Sequence, residues 1–224
     1  MDPLTYIKDA IITGKYEPGK RLTEEFLAKE LNISRTPIRE AIKQLESDGL
    51  ITPLKRGVIV RNFTKKDIQQ IYDLRALLES YAASQAAYYR NDMDIKKMIG
   101  ANNRYGEIIN KQEGKSGISS VYEIVKVNQE FHEAILTASR NEHLRFHMSK
   151  VVVVPLVFRS FYWYDSDEMK RSLEVHKTIL QAIQNQESER AKIAMQEHIY
   201  LGRDHVLKHL DDIKEELLKG ETYD

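Results

Sequence analysis

The chain contains no cysteine, which excludes disulfides and thiolate metal sites and is compatible with a reducing cytosol. No apolar run approaches the ~20 residues needed to cross a bilayer. The longest, VVVVPLV at 151–157, is short and carries a proline. The opening MDPLTYIKD has neither the basic start nor the apolar stretch of a signal peptide. These absences point to a cytoplasmic protein with no membrane partner. Net charge is absent too, since 34 Lys and Arg balance 34 Asp and Glu. The balance hides an asymmetry: residues 1–62 hold 11 cations and 9 anions, leaving 23 and 25 for the remainder. Within 34–61 alone there are six cations against three anions, which suits a compact anionic contact better than a polybasic tail.

What is present is enough to build two modest domains: 224 residues, of which 42% are hydrophobic. The spacing of Leu4, Ile7, Ile11 and Ile12 predicts a helix from Pro3 to Thr13, which GKYEPGKRL then breaks. Thr23 caps a second helix whose expected buried face is Phe26, Leu27 and Leu31. Asn32 suits the left-handed conformation of a tight connection. Ser34 then caps a third helix, with Pro37 in its first turn and Gly49 as its stop. Ile38, Ala41, Ile42 and Leu45 share the buried side of that helix, and Arg35, Thr36, Arg39 and Lys43 share another. Two short β-rich runs, LITP and GVIVR, flank a basic tip at Lys55 and Arg56 and predict a hairpin.

Helix, helix–turn–helix and hairpin is the order of a winged helix-turn-helix. A recognition helix enters the major groove N-terminus first, so base-reading side chains belong on its early exposed positions. Arginine can bond guanine bidentately, and Ser34 and Thr36 can reach phosphates or base edges. The alternative is an ordinary solvated helix face. The capped helix, tight turn and basic wing occur together here, which favours DNA.

LTEEFLAKELNISRTPIREAIKQLESDGLI followed by RGVIV resembles the N-terminal module of GntR-superfamily bacterial transcription regulators. The resemblance implies a homodimer on a short palindromic operator of double-stranded DNA. It also implies that Arg35, Thr36, Arg39 and the wing around Gly57 lie at the duplex.

RNFTKKD at 61–67 is a polar joint, so the expected division is a DNA-binding domain over 1–62 and a helical domain over 63–224. No strand alternation competes beyond the joint. Six helices are expected: one ending near Tyr89, then about 94–112, 119–137, 142–163 with a kink at Pro155, 167–185 and 187–218. The fold class is therefore mainly α, a winged helix-turn-helix followed by an all-α six-helix bundle.

NQEFHEAI sets Asn128 and His132 four apart on one helix face, and His176 and His198 lie on the last two helices among apolar residues. Imidazole suits Zn²⁺ and other late first-row ions, whereas hydrogen-bonded packing histidines are the alternative from spacing alone. His143, His147, His205 and His209 are read as surface or packing residues. Phe158, Phe161, Tyr162 and Trp163 are read as core or dimer packing.

IYDLRALLESYAA, NQEFHEAILTAS and EVHKTILQAIQNQESERAKIAMQEHI resemble the FCD effector domain of the FadR subgroup of GntR regulators. That resemblance implies a divalent metal, Zn²⁺ or Ni²⁺, at Asn128, His132, His176 and His198, with Asn128 standing where an aspartate is usual. Three imidazoles and an amide bring no charge, so weaker metal retention and a stronger pull on an anion are expected. The implied effector is a small carboxylate such as a sugar acid or hydroxy acid. Arg75 matches a family arginine that clamps such a ligand, its alternative being a surface or interhelix salt bridge; Arg159 is a second candidate. The expected function is a ligand-responsive repressor. Its competitors are a metal-dependent hydrolase carrying a DNA-binding module and a regulator answering to metal alone. No evident general base accompanies the motif, because Glu130 and Glu133 fall off the Asn128/His132 face. The joint at 61–67 is where motion between the modules is expected to pass.

Overall fold

The computed structural model describes residues 2–111, 118–151 and 164–220, with backbone only at 118–122, 149–151 and 210–220. The chain divides into two compact units, one running to Thr64 and one beginning at Lys65.

In the first unit, helix α1 (Pro3–Ile12) starts where the Asp2 carboxylate accepts from the Thr5 N–H, with Pro3 in the first turn. Strand β1 (Arg21–Leu22) follows, then α2 (Glu24–Leu31), α3 (Arg35–Ser47), β2 (Ile51–Pro53) and β3 (Val58–Val60). The strands form an antiparallel sheet in the order β1-β3-β2. The predicted hairpin is therefore present, and β1, two residues long and unmarked by any periodicity, joins its outer edge.

Thr23 caps α2 through its Oγ1, and Asn32 takes the left-handed conformation at φ 54°, so three residues suffice to redirect the chain into α3. Ser34 occupies the cap position of α3, but its hydroxyl makes no capping hydrogen bond, contrary to expectation. Phe26 departs as well: it is 44% exposed, edge-on to Tyr16, while Leu27 and Ala28 supply the buried face. Ile7, Ile11, Leu27, Ile38, Leu45, Leu50 and Val58 make the core. At the wing, Gly57 has φ +81°, and a Cβ there would lie 2.4 Å from the Leu22 carbonyl oxygen. Only glycine lets β1 approach the hairpin this closely.

The second unit contains α4 (Lys65–Tyr89), α5 (Asp92–Lys111), α6 (Ile118–Ala138), α7 (Glu142–Val151), α8 (Ser166–Gln184) and α9 (Ser188–Gly220). Six helices are thus found among the described residues. The predicted continuation of α7 to 163, with Pro155, Arg159 and the aromatics 158–163, lies outside them. Alanines 76, 82, 83, 86 and 87 line the buried side of α4, and their small size lets α9 pack along it. An Asp165–Glu168 capping box opens α8. No helix among the described residues is long and apolar enough to cross a membrane.

Candidate functional site

In the first unit, α3 buries Ile38, Ala41, Ile42 and Leu45, turning Arg35, Thr36, Arg39 and Lys43 outward. Ser34 at its start is exposed, as are Lys55 and Arg56 at the wing tip, with Gly57 behind them. The first turn of α3 carries no acidic residue. Two cations nonetheless have acidic neighbours from α2. Arg39 Nε and Nη2 donate to Glu24 Oε1 and Oε2, each at 2.8 Å. Arg35 Nη2 lies 3.7 Å from Glu25 Oε2.

In the second unit Asn128, His132 and His176 are buried and His198 is half-buried. Asn128 and His132 are in the apolar stripe of α6 with Val125, Phe131 and Ile135, and His176 is in that of α8 between Leu173 and Ile179. His198 follows Met195 on α9. Phe131 stacks on His176 with ring centroids 4.2 Å apart, which orients that imidazole. As a result His198 Nε2 lies 3.2 Å from His132 Nε2 and 3.1 Å from His176 Nε2. One ring nitrogen from each residue falls within 4.8 Å of the others. These are the three histidines selected from sequence, brought together from three helices.

The cluster suits a metal. A metal–nitrogen bond of about 2.0–2.1 Å sets adjacent imidazole nitrogens about 2.8–3.4 Å apart across octahedral and tetrahedral shells. Asn128 Oδ1 and His176 Nδ1 are buried with no hydrogen-bond partner among the described residues. Buried polar atoms of that kind are normally met by water or a ligand. Burial, and then the charges of neighbouring histidines, push the His176 value well below the ordinary one. Burial likewise lowers His198 to about 3. Both rings therefore keep a lone pair at neutral pH.

Glu79, on α4, is the residue that sequence reasoning missed. Its Oε2 lies 2.5 Å from His132 Nδ1 and its Oε1 accepts from Arg75 Nε at 2.9 Å. Burial alone raises a carboxyl value, but Arg75 and then His132 outweigh it and hold Glu79 at about 2. A carboxylate on Nδ1 fixes the tautomer that leaves Nε2 a lone pair, a common support for a metal-ligating histidine. A negative charge therefore stands one residue behind the cluster, which the sequence-based charge count omitted. Arg75 is buried, spanning i to i+4 within one helix and lying over the Tyr72 ring, neither a surface nor an interhelix bridge. The available signal was positional, because Arg75 and Glu79 share the α4 face of Tyr72, Ala76 and Ala83.

Glu130 and Glu133 pair with Arg104 and Arg145, off the histidine cluster. His205 is buried beside Glu168. Asn102 on α5 is buried with neither amide atom partnered among the described residues.

Comparison with known proteins accounts for both units. Residues 5–60 match the model of the gntR family of bacterial regulatory proteins, and residues 70–201 match the FCD domain. The HTH-type transcriptional regulator YdhC of Bacillus subtilis (strain 168) is 30% identical over 216 residues, covering 94% of this chain and 90% of that protein. The gluconate operon transcriptional repressor of the same organism is 25% identical, covering 95% and 86%. Among solved structures, E. coli McbR/YncC shares the fold with a TM-score of 0.77 at 20% identity, covering 93% and 96%. The chain belongs to the GntR family of bacterial regulatory proteins, with an FCD domain after its winged helix, and is a transcriptional regulator rather than an enzyme.

Proposed function

We propose that the protein is a homodimeric, ligand-responsive repressor in which a divalent metal, Zn²⁺ or Ni²⁺, and a small carboxylate occupy the helical unit. The observation that carries this reading is the convergence of three imidazole Nε2 atoms, with the Asn128 oxygen, one turn before His132 on α6, buried and without a partner among the described residues. Burying Asn128, His132 and His176 and half-burying His198 for packing alone is costly, whereas a bound ion offsets all of them at once. His132, His176, His198 and Asn128 are the ligands, and Glu79 holds His132. When bound, the metal supplies a Lewis-acidic position for a carboxylate oxygen.

The ligand set itself is neutral, and Glu79 shares its charge with Arg75, so an anion is favoured over a neutral effector. Arg75 then acts by holding Glu79, not by clamping the effector directly. Gluconate is a hydroxy acid, and one similar protein represses a gluconate operon, so acids of that class are the first to test.

At the DNA, Ser34, Arg35, Thr36, Arg39 and Lys43 enter the major groove of a palindromic operator, and Lys55, Arg56 and Gly57 bring the wing to the backbone. A second copy is supported by α4, whose outward side carries Leu74, Leu77, Tyr81 and Tyr88. Leu77 and Tyr88 are 65% and 70% exposed, opposite the buried alanine face. Residues 63–224 serve as the effector and dimerisation domain, and 1–62 as the DNA-binding domain. The effector shifts operator affinity by as much as it prefers one arrangement of the protein over another, with 61–67 as the transmitting joint.

Calorimetry with gluconate and related acids, on Zn²⁺-loaded and chelated protein, tests this. Acid binding that needs both metal and His132 is expected. Acid binding unchanged by chelation and by His132→Ala would overturn it. Operator release by metal alone would replace the carboxylate with the ion as the signal.

A further inference from the structure

The pairing of Arg39 with Glu24 is unexpected on a face meant for DNA. A carboxylate held against a duplex repels phosphate and reduces the counterion-release gain of the cation beside it. Stability does not explain it, since Arg39 is 57% and Glu24 31% exposed and such pairs contribute little. Orientation does. Both hydrogen bonds, at 2.8 Å, are made from the Nε/Nη2 edge of the guanidinium to the two carboxylate oxygens. This fork-to-fork geometry fixes the plane of the group as well as its position.

A guanidinium offers two parallel N–H bonds from either of two edges, Nε with Nη2 or Nη1 with Nη2. Glu24 occupies the first. The remaining edge is free to meet O6 and N7 of a guanine end-on. An arginine ordered before binding also loses less side-chain entropy on contact. Arg35 lacks such a clamp, its single approach to Glu25 being 3.7 Å between two exposed side chains. Of the two, Arg39 is the one whose direction is set in advance.

We propose that Glu24 is a positioning residue for base readout: it holds the Nε/Nη2 edge of Arg39, dedicating the Nη1/Nη2 edge to a guanine and withholding the cation from phosphates. The inference rests on the DNA-binding role proposed above for α3. It separates Glu24 from a structural acid, because specific and non-specific affinity should respond in opposite senses. Removing the carboxylate frees Arg39 to swing onto phosphate, so discrimination falls while general affinity for duplex holds or rises.

The full-length protein is used to select duplexes from a randomised library. Affinity is then measured for a selected duplex and a scrambled one across a salt series, with thermal unfolding in parallel. Glu24→Gln is expected to lower the selected-to-scrambled ratio about tenfold, with scrambled-duplex affinity unchanged or higher and thermal unfolding unmoved. Arg39→Ala should lower the ratio by itself, and adding Glu24→Gln to it should lower it no further, because Glu24 acts through Arg39. An unchanged ratio in Glu24→Gln, or additive losses in the double variant, overturns the proposal while leaving DNA binding intact. Both affinities falling together with a lost thermal transition makes Glu24 merely structural and also overturns it. Failure of the wild-type protein to enrich any sequence removes the DNA role of α3 itself, and the inference with it.

Discussion

Arg39–Glu24 in the first unit and Arg75–Glu79 in the second are both arginine–glutamate hydrogen-bonded pairs, at 2.8 and 2.9 Å. Their side chains are 57% and 31% exposed in the first pair, against 7% and 3% in the second. On the surface, water competes for both charges and the pair adds little to stability; what it sets is the direction of a cation. In the core, desolvation makes each partner dependent on the other, and the pair becomes part of a chain from Arg75 through Glu79 to His132. The same two residue types therefore have different consequences according to the dielectric around them.

The comparison breaks most sharply at Glu79→Ala. Leaving Arg75 buried and unpaired should cost ~3–5 kcal/mol in urea unfolding. A cost under about 1 kcal/mol would mean that the core pair is no more demanding than a surface one. Glu79→Gln, which keeps the shape, should weaken Zn²⁺ binding to the His132, His176 and His198 cluster by about 10–100-fold in calorimetric titration. Unaltered affinity would detach Glu79 from the metal site.

On the DNA side, Arg39→Ala should cost ~1–3 kcal/mol of discrimination at one base pair while leaving the unfolding temperature unchanged.

Acidification sharpens the contrast in another way. His198 is held at about 3 against an ordinary 6.5, so the unfolded chain takes a proton there that the fold refuses. Glu79, at about 2 against 4.5, acts with the same sign lower down. Stability conferred by these groups is thus present above pH 6.5 and declines as pH falls towards 3, then further towards 2. Calorimetry of metal-free protein should show the transition of the helical unit moving down from pH 7.5 to pH 5. The smallest expected effect is that of Glu24→Ala on stability, a barely displaced transition in the same urea assay.

The two units also differed in how much could be read without coordinates. The outward set on α3 was legible because one helix carries it and its spacing separates it from Ile38, Ala41, Ile42 and Leu45. The Asn32 turn and the hairpin were legible for the same local reason. β1 was not, since two residues carry no period, and Phe26 misled because an apolar residue beside a buried stripe need not be inside it. In the second unit, His132, His176 and His198 were selected through family resemblance, as spacing alone left packing histidines open. Glu79 was overlooked because it is 53 residues from the histidine it supports, in a helix otherwise marked by alanine.

The sequence by itself determined the order of the helices and the hairpin, the winged module, the helical second half and the cations turned away from the core of α3. Those are consequences of short-range periodicity and capping, which act over a few residues. Only the tertiary structure decided that α6, α8 and α9 bring three Nε2 atoms together, that α4 supplies the carboxylate behind them, and which edge of Arg39 is already taken. Directions of side chains and the dielectric around them are set by neighbours distant in the chain.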